Sequence, residues 1–271
     1  MKRLFAAAIL LAATATAAAE RMPLFDAHIH YNRDAWAEVP PAQALRLLDE
    51  AGIGRAVVSS TPDEGSLRLY EAAPQRILPL FRPYRTDADR ATWMRDPAIV
   101  EYIEKGLRPG VHRGIGEFHV LGGAADTEVV RRIVALAVAR DLILCPHSDE
   151  HAVEILFRMD PRARVLWAHA GMTAGPEAVG RMLDRYPNLW VELSIRGDVA
   201  PGGRLDPEWK ALLLRHPDRF LYGTDTYVTS RWAQTPAIAD AARRWLADMP
   251  PAVRDAIARG NGERLFPPRA N

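Results

Sequence analysis

The 271-residue chain has a single cysteine, Cys145, so no disulfide can form within it. A domain of this length buries enough surface to need no covalent staple, so the lone thiol does not argue against export. Lysine is almost as scarce, with only Lys2, Lys105 and Lys210. Basic and acidic residues number 35 and 34. Nothing in that balance suggests a nucleic-acid partner, which usually demands a basic patch. No G-x-G-x-x-G follows the first strand-like run, which removes the usual signature of a dinucleotide fold. After residue 19, no apolar run approaches the roughly 20 residues that span a bilayer. Internal repeats, low-complexity linkers and domain boundaries are missing too.

The first 19 residues stand apart. Met1, Lys2 and Arg3 make a basic start, Leu4 to Ala18 is apolar and rich in alanine, and Ala17-Ala18-Ala19 precedes Glu20. A basic start, a short apolar run and small residues at the end are the pattern of a secretory signal peptide. Residues 1–19 are therefore expected to be removed, and residues 20–271 to form one domain. Loss of Lys2 and Arg3 leaves 33 basic against 34 acidic residues, so the slight positive charge belongs to the leader. The mature protein is expected in the periplasm or outside the cell, without a membrane anchor. Its oligomeric state is left open, a homo-oligomer included.

Strand-like runs fall at 23–30, 55–60, 77–84, 113–120, 142–148, 164–170, 189–195 and 220–226. Helical patterns with apolar residues three or four apart lie between and after them, near 41–51, 64–73, 97–106, 127–140, 149–158, 176–185, 207–216 and 235–247. Prolines 41, 97, 176, 207 and 236 sit where a helix tolerates a missing N–H. Eight strands alternating with eight helices predict an α/β fold, a (β/α)8 TIM barrel. Loop 196–206, rich in glycine and proline, could overhang its mouth.

Residues 26–30 read Asp-Ala-His-Ile-His. On a strand, Asp26, His28 and His30 would share one face, with Phe25, Ala27 and Ile29 on the other. Imidazoles two residues apart can converge on one metal ion. The ends of later strands add Glu117, His147, His169 and Asp225. In a TIM barrel those C-terminal strand ends form the active site. Four imidazoles and two carboxylates would then meet at one mouth. Period-two alternation also places Arg82 on the inner face of strand three, and Glu192, Ser194 and Arg196 on that of strand seven. Both arginines are expected at the mouth, each able to fork a substrate carboxylate or to pair internally with Glu192 or Asp26. His119 shares the face of Glu117 and is a candidate substrate contact. Asp26, below His28, is expected to hold a water or a ligand imidazole.

These motifs, in order D-A-H-I-H, G-I-G-E-F-H, C-P-H, A-H-A-G, G-T-D and the late G-N-G-E-R-L-F, resemble the amidohydrolase superfamily of metal-dependent hydrolases. Within it the chain looks most like the branch that holds lactonases and zinc-dependent decarboxylases. The resemblance implies that His28, His30 and Asp225 bind a first metal. His147 would complete that site, or bind a second metal with His169. With one metal, His169 would instead polarise substrate or water, and Asp225 would take a proton from the metal-bound water. Many two-metal members bridge their ions with a carboxylated lysine, but none of the three lysines here falls on an inner strand face. A bridge would come from Glu117. Zinc suits mixed nitrogen and oxygen donors, and manganese becomes an alternative as carboxylates are added.

The leading expectation is hydrolysis of a small anionic lactone, ester or amide. The alternatives are non-oxidative decarboxylation of a carboxylated ring and a non-catalytic ligand-binding barrel. N-terminal sequencing of the exported protein should find Glu20 or a residue within a few positions of it; an intact Met1 would refute the processing.

Overall fold

The computed structural model describes residues 21–268, so the expected leader lies outside the described residues. Eight parallel strands follow one another around a single sheet in chain order. They are β1 (Leu24–His30), β2 (Ile53–Ser59), β3 (Ile77–Phe81), β4 (Gly114–His119), β5 (Ile143–His147), β6 (Arg164–Trp167), β7 (Leu189–Glu192) and β8 (Phe220–Leu221). Seven of the helices between and after them are α1 (Pro41–Ala51), α2 (Glu64–Ala72), α3 (Ala98–Gly106), α4 (Glu128–Ala139), α5 (Glu150–Met159), α6 (Pro176–Arg185) and α7 (Pro207–Arg215). Beyond β8 come α8 (Thr229–Trp232), α9 (Thr235–Leu246), α10 (Pro251–Asp255) and α11 (Asn261–Leu265). The expected TIM barrel is the observed fold. No helix among the described residues is long and apolar enough to cross a membrane.

Local chemistry sets the helix starts. Proline is the first residue of α1, α6 and α7. Thr127 and Asp149 accept hydrogen bonds from Val130 N and Ala152 N at the starts of α4 and α5, satisfying amides that have no partner within the helix. The apolar stripe of α4, Val129, Val130, Ile133, Val134 and Ala137, is buried against the outside of the barrel.

Strands three, six, seven and eight are shorter than predicted. In each the ladder ends before a polar residue of the expected strand, Arg82, His169, Ser194 or Asp225. β8 is the extreme case, since only Phe220 and Leu221 pair with β7. The chain after it closes the barrel instead, through Ala27 N to Tyr222 O (2.9 Å), Asp225 N to His28 O (2.8 Å) and His30 N to Thr226 O (3.2 Å).

Inside the barrel, Phe25, Ala27, Val57, Leu78, Leu80, Ile143, Cys145, Leu166 and Leu221 form a packed plug. The simple alternation expected for β1 fails here. Phe25 and Ala27 face this inner core, whereas Ile29 belongs to the outer, helix-packed cluster. A register shift between Asp26 and Ile29 changes the phase of the strand, as one irregular residue does in any ladder.

The late G-N-G-E-R-L-F motif seals the floor. Leu265 and Phe266 join the inner core, and Phe266 stacks on Phe25 with centroids 6.0 Å apart. A Cβ on Gly262 would collide with the Phe25 ring. Asn261 Nδ2 donates to Pro217 O (2.9 Å) and Phe220 O (2.7 Å), tying the segment to β8. Phe266→Ala should cost about 3–5 kcal/mol of stability, read as a lower denaturation midpoint.

Candidate metal centre

The end of β1 brings two imidazoles together, with His28 Nε2 3.1 Å from His30 Nε2. Asp225 Oδ1 lies 3.3 Å from the His30 nitrogen and 3.6 Å from that of His28. Donors bound about 2.1 Å from a tetrahedral ion stand about 3.4 Å from one another. The three spacings therefore fit one divalent cation. Glu117 brings a further oxygen, Oε2, to 3.2 Å from His30 Nε2.

The far ring nitrogens are also engaged. His28 Nδ1 donates to Glu192 Oε2 (2.9 Å), and His30 Nδ1 meets Ser59 Oγ at 3.0 Å. Such partners fix the imidazole orientation and leave the Nε2 atoms facing the place a cation would occupy. His169 follows the same plan: Nδ1 donates to Ser194 O (3.2 Å), while Nε2 lies 3.3 Å from Glu117 Oε1 and 4.0 Å from Asp225 Oδ2. His147 donates from Nδ1 to Glu117 Oε1 at 2.9 Å and stacks on His119. The donor groups that could hold a cation include His28, His30 and Asp225, and separately Glu117, His119 and His147.

Burial sharpens the charges. Burial alone would keep His28 neutral, but Asp225 and Glu117 outweigh it and raise its pKa well above the ordinary value. His169 is raised as well, against burial, chiefly by its hydrogen bond to Glu117. Against the same desolvation, His28 and the other imidazoles hold Glu117 well below the usual range, and His28 and His30 bring Asp225 to about 2. His119, desolvated, drops to about 3. Asp26 goes the other way: burial raises it to about 7.

Two of the positions that carry this chemistry have left-handed backbones, His169 at φ 54° and Asp225 at φ 45°. That conformation costs a non-glycine residue roughly 1–2 kcal/mol. Both turns lie just past the end of a strand, where leaving the ladder swings the side chain over the mouth. At the G-T-D motif, a Cβ on Gly223 would strike the Glu192 carboxylate, so only glycine fits.

The mouth opens as a cleft of about 320 Å³ lined by His30, Asn32, Arg82, Arg90, Glu117, His119, His147, His169, Met172, Ile195, Asp225 and Tyr227. His119 reaches it as expected. Arg82 borders it but is spent on Glu117, donating from Nε to the backbone oxygen (3.0 Å) and from Nη2 to Oε2 (3.1 Å). Arg82 thus has an internal partner, but that partner is Glu117 and neither Glu192 nor Asp26. Arg196 is not among the lining residues. The left-handed Ile195 (φ 59°) breaks the alternation of strand seven and turns Arg196 outward, where it pairs with Asp198 (2.6 Å). Asp26 holds no imidazole; it accepts from His28 N (3.0 Å), Thr224 N (3.1 Å) and Thr224 Oγ1 (2.7 Å). No residue of loop 196–206 lines this cleft; Arg196, Gly197, Ala200 and Gly203 border a second cleft against α9.

Several contributors escaped the sequence reading. Ser59 closes an apolar strand with a hydroxyl, a faint signal. Glu192 stood on the expected inner face, without a role toward His28. Arg90, Asn32, Met172 and Tyr227 lie on loops whose composition carried no signal.

A closed parallel barrel with imidazoles and carboxylates gathered at its C-terminal mouth defines a metal-dependent hydrolase architecture. The amidohydrolase family matches residues 25–267, and the chain belongs to that family. Among solved structures it is similar to amidohydrolase 2 from Bifidobacterium longum subsp. infantis, with 17% identity and a TM-score of 0.57, over 91% of this chain and 99% of that one. A probable 2-pyrone-4,6-dicarboxylic acid hydrolase from Acinetobacter baumannii, with citric acid bound, shares 11% identity at a TM-score of 0.61, over 90% and 99%. N-acetyl-D-glucosamine-6-phosphate deacetylase from Mycobacterium smegmatis shares 15% identity at a TM-score of 0.62, over 90% and 75%. No curated protein matches. The chain is thus a metal-dependent hydrolase of the amidohydrolase superfamily.

The shifts set the pH behaviour of the metal-free protein. Stability from the raised His28 and His169 is fully present below about 6.5 and lost as pH rises through their folded values. The raised Asp26 adds a loss that runs from 3.8 to about 7. Stability from Glu117 and Asp225 is present above their unfolded values and lost as pH falls through the depressed ones. Metal-free protein should therefore be most stable near about pH 4.5, where the carboxylate contributions are complete and the Asp26 loss has only begun, and weaken toward pH 8. A bound divalent cation should offset the loss on the alkaline side. Thermal melts across pH with and without chelator check both statements; a chelated protein that grows more stable toward pH 8 would contradict the first.

Proposed function

We propose that the protein hydrolyses a small anionic molecule at a carbonyl carbon, in a lactone, ester or amide. The observation that carries the reading is the double role of Asp225. One oxygen faces the two Nε2 atoms of β1 and the other faces His169. A divalent cation bound there lowers the pKa of a coordinated water to near 7 and polarises a carbonyl. Zinc is the ion we propose, from the mixed imidazole and carboxylate donors, with manganese as the alternative.

Asp225 is ionised across the working range and accepts the proton as the water oxygen bonds to the carbonyl carbon. His169, within reach of its second oxygen, passes a proton to the departing oxygen or nitrogen as the scissile bond breaks. Glu192 and Ser59 keep the β1 imidazoles oriented throughout. Arg90, on the rim of the cleft, 50% exposed and only loosely paired with Asp87 (3.7 Å), is the cation we assign to a substrate anion, since Arg82 is committed to Glu117. Met172, Ile195 and Tyr227 offer an apolar lip for the rest of the molecule. The citric acid bound to the Acinetobacter baumannii protein supports a carboxylate ligand. We also propose that residues 1–19 direct export and are removed near Ala19.

Glu117 reaches both donor groups, with Oε2 near His30 and Oε1 near His147. On this basis Glu117 would be the residue to bridge two ions, the second more weakly held. Wild type should take up about two zinc ions per chain at saturation, and Glu117→Gln should lose at least the weaker. A wild type that never exceeds one ion would remove the bridge.

His28→Ala, His30→Ala and Asp225→Ala should each fold, lose metal and lose activity on a panel of lactones, esters, amides and ring carboxylates. In labelled water the wild-type product should carry the water oxygen. Release of carbon dioxide with no oxygen incorporated would favour decarboxylation instead.

A further inference from the structure

Two arginines outside the catalytic cleft grip its strained turns in the same way. Arg196 Nη1 donates to two successive carbonyls, His169 O (3.1 Å) and Ala170 O (2.9 Å), and Nη2 donates to Ala174 O (2.7 Å). Both residues of that pair are left-handed, at φ 54° and 47°. Arg231 donates from Nε to Asp225 O (2.9 Å) and from Nη2 to Thr224 O (2.8 Å), again two successive carbonyls, at the other left-handed turn. Each guanidinium is itself held. Arg196 forks Asp198 and lies 4.7 Å from the Trp209 ring, whose Nε1 donates to the same carboxylate. Arg231 lies over Tyr227 at 5.5 Å. The planar fork matches a pair of adjacent carbonyls in a way a lysine ammonium does not.

We infer that Arg196 and Arg231 are positioning residues, which lock the left-handed turns so that His169 and Asp225 point into the mouth. The inference rests on the roles given to His169 and Asp225 under Proposed function. The Asp225 N to His28 O bond and the His169 Nδ1 contact with Ser194 also hold these residues, but neither binds two successive carbonyls as each guanidinium does, and an extended or right-handed backbone is intrinsically more favourable for both residues. Catalytic geometry tolerates little looseness, and loss of a group that orients a metal ligand typically costs 10–100-fold in affinity or rate. Both arginines border the same open cleft of about 430 Å³ between the 196–203 loop and α9, so a small solute can reach them from outside the catalytic mouth.

Arg196→Met and Arg231→Met keep most of the aliphatic stem and remove the donors. Arg243→Met is the control, since Arg243 also binds two carbonyls, Met22 O and Ala51 O, but far from the site. In metal-free protein, hydrogen exchange should accelerate at least about ten-fold at Met172 N for Arg196→Met and at Tyr227 N for Arg231→Met, because these amides close the two turns. The control should leave both amides protected. Zinc affinity, measured against a competing chelator, should fall about 10–100-fold in Arg231→Met and stay unchanged in the control. For Arg196→Met the loss should appear in kcat with little change in KM. Free guanidinium should restore part of the protection and affinity to Arg231→Ala, as a packing role would not allow.

Unchanged exchange at both amides overturns the inference. So does loosening of the turns with wild-type zinc affinity and kcat, or a zinc loss that the control shares. Failure of wild type to bind zinc would instead overturn the functional reading, while the exchange measurement still decides whether the turns are held.

Discussion

The structure turns on the charge of Glu117. Its carboxylate is almost fully buried at the centre of the mouth, within 3.7 Å of His28, His30, His147 and His169 and 3.1 Å from Arg82. An isolated buried carboxylate would simply take up a proton. Here the surrounding imidazoles and one guanidinium keep it ionised, and it in turn draws positive charge onto His28 and His169. The cluster is a closed electrostatic unit in which protons occupy the places a cation would take. Metal binding must release those protons, which couples affinity to pH.

Around this unit the barrel divides its labour by depth. The floor is apolar, sealed by Phe266 against Phe25. His28, His30 and His169 stand one layer higher, and their outer nitrogens are tied by Glu192, Ser59 and Ser194. Above them the rim changes character around its circumference, with Asn32, Arg90 and His119 from the first half of the barrel and Met172, Ile195 and Tyr227 from the segments after β6, β7 and β8. That asymmetry supports the anionic substrate with an apolar part that we propose.

The two strained turns show where stability was given up. His169 and Asp225 occupy a backbone conformation that a strand would not choose, and each turn is held from outside by an arginine. β6 and β8 end before these turns, so the strand ladder holds neither residue.

The sequence alone determined the architecture and the chemistry at the mouth. Apolar runs, helix periodicity and prolines at helix starts are local properties, so eight strands and their helices could be read directly. His28, His30, Glu117, His147, His169 and Asp225 lie at strand ends, and the fold brings such ends together whatever the loops do. Tertiary structure alone decided which neighbours these groups would have. A phase change in β1 moved Ala27 inward, and the left-handed Ile195 turned Arg196 from the mouth to the back of a turn. Glu117 claimed Arg82, and Asp26 went to the backbone of the β8 turn. Arg90 reached the rim from a loop without a pattern. Alternation holds only while the ladder does, and once a strand ends, long-range contacts fix where each side chain points.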